Sequence, residues 1–190
     1  MTKLSKREEI FRAAMDLIAE HGFHGAPMAM IAARASVGAG TIYRYFESKD
    51  ILILETYNQL EEKIREFVME DYSEQLSIRE SFLHIATRAL NYFLAFPLHF
   101  RYFEQFHNSP YGSAHRRDKV LEQTDTDFVK TLFERGIAQK IIKDLPVISI
   151  FSLSMGPLIA VARDHILGFL KLDDQLIKSI VEACWDSIKR

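Results

Sequence analysis

The chain has 190 residues, of which 48% are hydrophobic and only 13 are Gly or Pro (8 and 5), a composition that favours an ordered helical protein over a disordered one. Its formal net charge is −2, so it lacks the global basic field of many nucleic-acid-binding proteins, and any DNA contact must come from a local patch. The single cysteine, Cys184, excludes an intramolecular disulfide framework and a cysteine-rich zinc site.

The N-terminus and the most hydrophobic region of the chain predict its cellular compartment. The first nine residues are polar and charged and contain no apolar core of a signal peptide. The longest hydrophobic region, 146–162, is interrupted by serines and by Gly156 and Pro157, which argues against a membrane span. We therefore expect a cytoplasmic protein without a membrane partner.

Three helices are predicted in the first 50 residues. Ser5 and Glu8 have the spacing of a capping box at the start of the first helix, and Gly22 stands where a left-handed cap ends it. Pro27 suits the first position of a second, short helix. A third helix is predicted over 39–46. Two short helices joined by a tight turn and braced by a longer one form a helix-turn-helix unit.

The third predicted helix has two different faces. Ile42 and Phe46 are four residues apart and share the inner face, whereas Thr41, Arg44 and Tyr45 share the outer face. Eight residues are too few to form a stable helix alone, so neighbouring helices must hold it. A short helix that presents polar, basic and aromatic side chains outward suits insertion into a DNA groove.

The remaining sequence predicts only helices. Ser48 caps a helix that runs to about residue 69, and Asp173 caps the last one. Further helices are predicted over 78–96, 97–107, 113–135 and 146–167. The predicted fold class is all-α, with about nine helices: a three-helix DNA-binding domain over residues 1–50 and a larger helical domain over 51–190.

The segment Thr41-Ile42-Tyr43-Arg44-Tyr45-Phe46-Glu47-Ser48-Lys49, with the helices before it, resembles the DNA-binding domain of TetR-family transcriptional regulators. The resemblance covers about the first 55 residues. It implies that the later helices bind a small molecule and form a homodimer. Three places depart from the family pattern: Ala26-Pro27 stands where a hydroxyl cap is usual, Ser36 where a turn glycine is common, and Gly38-Ala39 where Ser-Lys is usual. These departures indicate a smaller DNA footprint or a different operator.

The resemblance assigns Tyr43 and Lys49 to phosphate contacts with a double-stranded DNA operator. The outward Thr41, Arg44 and Tyr45 are candidates for base edges, and small residues before them allow close approach. The predicted DNA-binding residues are Gly38, Ala39, Gly40, Thr41, Tyr43, Arg44, Tyr45 and Lys49. Packing of Tyr43 is the alternative to its phosphate role. Lys3, Lys6 and Arg7 either reach flanking phosphates or form a solvated helix start.

Residues 1–50 hold seven Lys or Arg and six Asp or Glu, so one copy is expected to bind weakly. A two-fold dimer places its recognition helices about 34 Å apart and predicts a palindromic operator. The last two predicted helices carry apolar stripes that suit the interface, and packing of one stripe in the monomer core is the alternative. The stripes are Ile150, Phe151, Leu153 and Ile159, and Leu176, Ile180, Ala183 and Cys184.

Eight aromatic residues lie between Tyr92 and Tyr111, on both sides of the helix break at Pro97. They are interpreted as part of the wall of an apolar pocket for an aromatic or acyl-like effector, with ordinary core packing as the alternative. The predicted ligand-binding residues are Phe96, His99, Phe100, Phe103, Phe106, His107, Phe128, Phe151 and Met155.

The sequence shows no Ser-His-acid spacing, glycine-rich phosphate loop or reactive cysteine context, and its histidines are scattered. No catalytic residue, cofactor or metal site is therefore predicted, and the protein is not expected to be an enzyme. The predicted function is a dimeric, ligand-responsive transcriptional regulator, a repressor released from its operator by a small apolar or aromatic ligand. The alternative is a helical dimer that binds small molecules or a protein and has weak or lost operator binding.

Overall fold

The structure, a computed structural model, describes residues 5–121 and 128–190, with backbone alone for residues 119–121. Its described residues form eleven helical segments and contain no β-strand, only an isolated bridge between Ile142 and Lys189. The prediction of an all-α fold is confirmed. The segments are α1 (Lys6–Gly25), α2 (Met28–Arg34), α3 (Ala39–Tyr45), α4 (Lys49–Met69), α5 (Ile78–Ala95), α6 (Pro97–His107), α7 (Pro110–Leu121), α8 (Phe128–Ala138), α9 (Val147–Ser154), α10 (Gly156–Ile166) and α11 (Asp174–Ile188).

Two long predicted helices correspond to pairs of segments. The helix predicted over 146–167 is divided at Met155 into α9 and α10, because Pro157 has no N–H to donate to the carbonyl of Leu153. The hydroxyl of Ser187, 3.1 Å away on α11, lies within hydrogen-bond distance of that carbonyl. The helix predicted over 113–135 corresponds to α7 and α8, and its residues 122–127 lie outside the described part.

The ends of α1 follow the sequence signals. Ser5 Oγ accepts a hydrogen bond from the Glu8 amide at 3.2 Å, and the Ser5 amide donates to Glu8 Oε2 at 2.7 Å, so the predicted capping box is present. Gly22 has a φ of +74°, as expected for a left-handed cap, but helical turn resumes after it as far as Gly25. The kink at Gly22 therefore falls inside α1 rather than at its end.

The short α3 is held by its buried face. Ile42 and Phe46 are 0% and 1% exposed, and the Phe46 ring meets the Phe11 ring of α1 edge-on at 5.1 Å. The turn that delivers α3 contains Ser36 at a φ of +53°, a left-handed conformation that costs a non-glycine residue about 1–2 kcal/mol. Tertiary burial thus stabilises a helix that its length and its turn do not favour.

The described residues group into two compact units. The first is drawn from Met1–Lys63 and Phe96–Leu121, and the second from Ile64–Ala95 and Glu122–Arg190. In the first unit α1 packs against α2 and α6, and the buried hydroxyl of Tyr102 donates to the carbonyl of Ile53 at 2.8 Å. These contacts join α1 and the first turns of α4 to α6, a helix from later in the chain.

In the second unit, α5 packs against α8, α10 and α11 around Phe82, Phe133 and Trp185. Ile150 and Cys184, which were predicted in the interface stripes, are only 0% and 4% exposed, so they belong to the core of this unit. The stretch Val147–Ile166 is the one helix in the described ranges long and apolar enough to cross a membrane by length and composition, with a mean hydropathy of 1.4. Only 28% of it is buried, and its exposed apolar residues include Ile148 and Leu153.

Gly112 marks the tightest backbone approach in the first unit. A Cβ on this residue would lie 2.3 Å from the carbonyl oxygen of Phe106 and 2.7 Å from the Cα of His107, inside any allowed contact. The absence of a side chain therefore allows α7 to start directly against the end of α6.

We expect Gly112→Ala to lower the free energy of unfolding by about 2 kcal/mol or more, because backbone atoms must move to admit the methyl group. The control is Gly156→Ala at the start of α10, where no atom lies within 4 Å of the added Cβ. Urea unfolding of both variants measures the difference, and equal midpoints would contradict the steric interpretation.

Candidate nucleic-acid interface

The outer face of α3 is exposed in the structure. Tyr43 and Tyr45 are 54% and 43% exposed, although large aromatic side chains are usually buried in a folded protein. Arg44 between them is also exposed, and Thr41 is half-buried. The predicted outward residues therefore share one surface, opposite the buried Ile42.

The first turn of α3 and its N-cap consist of small residues, Gly38, Ala39 and Gly40. Gly38 is the N-cap residue and makes no side-chain cap hydrogen bond. A Cβ on Gly40 would have no atom within 4 Å, so packing inside the described protein does not require glycine at this position. Gly38, Ala39 and Gly40 are all exposed, which leaves the first turn of α3 open to close approach by another molecule.

Three basic side chains of the first unit form ion pairs within the fold. Lys6 pairs with Glu9 at 2.8 Å, Arg34 with Glu20 at 3.4 Å, and Arg7 with Glu55. Lys3 lies outside the described residues. For Arg44, no hydrogen bond or ion pair joins its guanidinium to any residue in the ranges 5–121 and 128–190. Arg44 is therefore a cation that the described fold leaves available on the face of α3.

Lys49 has a structural contact that the sequence did not reveal. Its ammonium donates a hydrogen bond to the carbonyl of Phe23, near the end of α1. Burial lowers the pKa of Lys49 from its usual value, with the nearby Asp50 opposing the shift. The ammonium has three N–H groups, so this contact takes one of them and ties the start of α4 to α1.

The predicted effector residues of the first unit divide into two groups. Phe100 and Phe106 are 1% and 0% exposed and belong to the core. Phe96 is 41% exposed and its ring stacks on that of His99 at 5.2 Å, while Phe103 and His107 are 4.2 Å apart. Burial, with a smaller effect of Lys63, lowers the pKa of His99 to about 4, so its imidazole is neutral at pH 7. The three remaining predicted residues, Phe128, Phe151 and Met155, are half-buried in the second unit.

A polar cluster in the first unit was missed by sequence reasoning. Tyr57 stacks on Phe106 with ring centroids 3.7 Å apart, and its hydroxyl lies 2.7 Å from His107 Nε2 and 3.2 Å from Glu61 Oε1. Nε2 of His115 lies 3.5 Å from Glu61 Oε2 and is buried without a hydrogen-bond partner in the described structure. The one sequence signal was the spacing of Tyr57 and Glu61, which are four residues apart on a helix.

Two features of the described residues bear on a metal site and on an effector pocket. They contain no group of three or more His, Cys, Asp or Glu side chains that could hold a metal ion. A groove of about 310 Å³ lies between α1 and α4 in the first unit and is lined by Arg7, Phe11, Glu55, Asn58, Gln59 and Glu62. None of the predicted ligand-binding residues lines this groove, so it is not the effector pocket predicted from the aromatic cluster.

Comparison with known proteins identifies both halves of the chain. The family model of bacterial regulatory proteins of the tetR family matches residues 10–56, and the model of a Tetracyclin repressor-like C-terminal domain matches residues 77–189. The Fatty acid metabolism regulator protein of Bacillus subtilis (strain 168) is 33% identical over 78 residues, which are 41% of this chain and 40% of that protein.

Two solved structures resemble the whole chain. A putative transcriptional regulator of the TetR family from Vibrio parahaemolyticus is 31% identical, with a TM-score of 0.81 over 98% of this chain and 100% of that one. The transcriptional regulator FadR from Bacillus subtilis, solved in complex with stearoyl-CoA, has a TM-score of 0.73 at 18% identity over 94% of this chain and 95% of that one, and shows the same fold.

The C-terminal family model alone covers more than half of the chain, and the N-terminal model covers the helix-turn-helix with its exposed α3. These matches confirm the resemblance drawn from the sequence. The chain belongs to the TetR family, whose members are transcriptional regulators and not enzymes.

Proposed function

We propose that this regulator is a homodimeric repressor that binds a palindromic operator through α3 and leaves it when an acyl-like ligand binds. The observation that carries the proposal is Arg44, which is exposed between two exposed tyrosines and has no ion pair among the described residues, on a helix whose opposite face is buried. Residues 1–50 supply the DNA contacts, and residues 51–190 supply the effector and dimer contacts. Such a repressor works in the cytoplasm, where its DNA is.

The residues on and next to α3 have different roles in the proposed DNA binding. Arg44 reads a guanine in the major groove, since a guanidinium matches the two acceptors on that base. Tyr43 and Lys49 hold phosphates and fix the register, Lys49 with the N–H groups not used by Phe23. Thr41 and Tyr45 lie against neighbouring bases or phosphates. Gly38, Ala39 and Gly40 let the first turn of α3 approach the groove closely.

We expect Arg44→Ala to cost about 1–3 kcal/mol of binding to the best operator and to relax the preference at one base pair in each half-site. Tyr43→Phe, in contrast, weakens binding to every sequence equally, because a phosphate contact carries no sequence information. Both effects are measured by fluorescence anisotropy at several salt concentrations, with DNA duplexes taken from the region upstream of the gene that encodes this protein.

The matched control is Lys171→Ala, which removes the same charge from an exposed position in the second unit. Absence of any DNA complex at low salt for the parent protein would overturn the repressor proposal. It would favour the second candidate, a helical dimer with lost operator binding, which the pairing of Lys6, Arg7 and Arg34 with carboxylates supports.

The proposed dimer forms through the last helices of the second unit. Ile148 and Leu153 on α9 are 51% and 45% exposed, and Leu167 after α10 is 55% exposed. The half-buried Leu176 and Ile180 and the exposed Ala183 continue the apolar surface on α11. A large apolar surface of this kind on a water-soluble regulator marks a protein interface, and a second copy supplies a surface of the same composition.

Leu153→Glu is expected to convert the dimer to a monomer, because it places a charge in the centre of the apolar surface. The control is Leu54→Glu, the same substitution at a 37% exposed leucine on α4 in the first unit. Light scattering coupled to gel filtration gives the mass of each variant. A Leu153→Glu protein that remains a dimer would rule out this interface, and a parent protein that runs as a monomer would rule out the dimer.

The proposed effector is an acyl compound. Support comes from the aromatic residues around Phe96 and Phe103, and from the similarity to a fatty acid metabolism regulator and to a regulator solved with stearoyl-CoA. His99, neutral at pH 7, offers the ligand a hydrogen bond without a charge. A ligand that binds the DNA-free form more tightly shifts the dimer away from its operator.

Stearoyl-CoA is therefore expected to weaken operator binding at least about fivefold, within the usual range of coupling between two sites. Free coenzyme A is the control, since it carries the same charged groups without the acyl chain. Competition measured by anisotropy separates the two compounds. Equal effects of both would indicate simple charge competition with DNA and would contradict an acyl pocket.

A further inference from the structure

Four residues from three helix ends meet in the first unit, and we call them the α1–α4–α7 junction: Phe23, Lys49, Asp50 and Tyr111. The Tyr111 hydroxyl donates to Asp50 Oδ1 at 2.5 Å, and its ring lies 5.3 Å from that of Phe23. Lys49, next to Asp50 in sequence, donates to the carbonyl of Phe23. The four residues thus form a closed set of contacts in which each residue is held by at least one other.

The backbone that carries Tyr111 is firmly supported. Gly112 allows α7 to begin in contact with the end of α6, and Ser109 Oγ lies 2.6 Å from the Phe106 carbonyl and 3.4 Å from the Gly112 amide. Gln105 of α6 donates to the carbonyl of Ala19 at 3.3 Å, close to the kink of α1. The corner between α6 and α7 therefore braces both sides of the junction.

The hydrogen bond from Tyr111 has a charged acceptor, which makes it stronger than a bond between neutral groups. The same bond, with burial as a smaller cause, raises the pKa of Tyr111 to about 12. The hydroxyl consequently keeps its proton throughout the physiological range, and the contact does not depend on pH there.

Asp50 lies in the first turn of α4, directly after the residues that end α3. Only Phe46, Glu47 and Ser48 separate the last residue of α3 from Lys49. Ser48 Oγ accepts from the Ile51 amide at 3.2 Å, so the turn that follows α3 is well defined. A contact that fixes the first turn of α4 therefore also fixes where α3 ends relative to α1.

We propose that Tyr111 is a positioning residue for operator binding: it holds Asp50, and through Asp50 the orientation of Lys49 and α3, without contacting DNA. This inference rests on the proposed function of α3. It adds a residue more than 60 positions away from the helix-turn-helix to the set that determines operator affinity. Residues such as Tyr43 contact the phosphate, whereas Tyr111 fixes the position of the helices that carry those residues.

The test is Tyr111→Phe, which removes one hydroxyl and keeps the ring on Phe23. We expect operator affinity to fall about threefold to tenfold, the equivalent of one hydrogen bond, with the same base preference. Asp50→Ala gives a similar loss, and the double variant gives little more than either alone, because both remove the same bond. Tyr72→Phe, which removes a hydroxyl bonded to Ser81 in the second unit, leaves affinity unchanged.

The outcomes separate this inference from the proposed function. A parent protein that binds no DNA overturns both. A parent that binds, with Tyr111→Phe of equal affinity, overturns only the positioning role, even if the variant unfolds at a lower temperature. Additive losses in the double variant would show that the two residues act separately and would contradict the proposal.

Discussion

The rest of the interface depends on the burial of Ile42 and of Phe46, whose ring packs on Phe11 of α1. A helix of seven residues gains too little from its own hydrogen bonds to persist in water, so it exists because its inner face is removed from solvent. That burial determines which side chains point outward. Tyr43, Arg44 and Tyr45 are exposed because the positions on either side of them are committed to the core.

Local signals predicted much of this architecture, since caps and breaks act over a few residues. The capping box at Ser5 and Glu8, the Ser48 and Asp173 caps and the break at Pro97 all appear where the sequence placed them. Contacts between distant helices had no such signal. The bonds from Lys49 to Phe23 and from Tyr111 to Asp50 join residues 26 and 61 positions apart, and no periodicity within one helix reveals them. For the same reason the sequence left open whether the stripes with Ile150 and Cys184 serve an interface or the core, because a helix stripe does not show which neighbour covers it.

The pairing of basic side chains in the first unit bears on why the proposed DNA binding needs two copies of the chain. Lys6, Arg7 and Arg34 are paired with carboxylates, and Lys49 has one N–H group committed to α1, so these four cations are already wholly or partly engaged within the fold. Non-specific attraction to phosphate is correspondingly small. A dimer doubles the contacts of Arg44 and Tyr43, and the spacing between the two copies then becomes a condition for binding. A ligand that changes this spacing can release the protein without touching α3.

Selection of bound duplexes from a random DNA pool tests the central claim most directly, because it assumes neither the operator nor the effector. Operator recognition by paired α3 helices predicts enrichment of an inverted repeat whose half-sites are centred about one helical turn, or a multiple of it, apart. The same selection in the presence of stearoyl-CoA should recover less of that repeat. A pool that shows no enriched sequence, or only an asymmetric one that no two-fold dimer could read, would contradict the account.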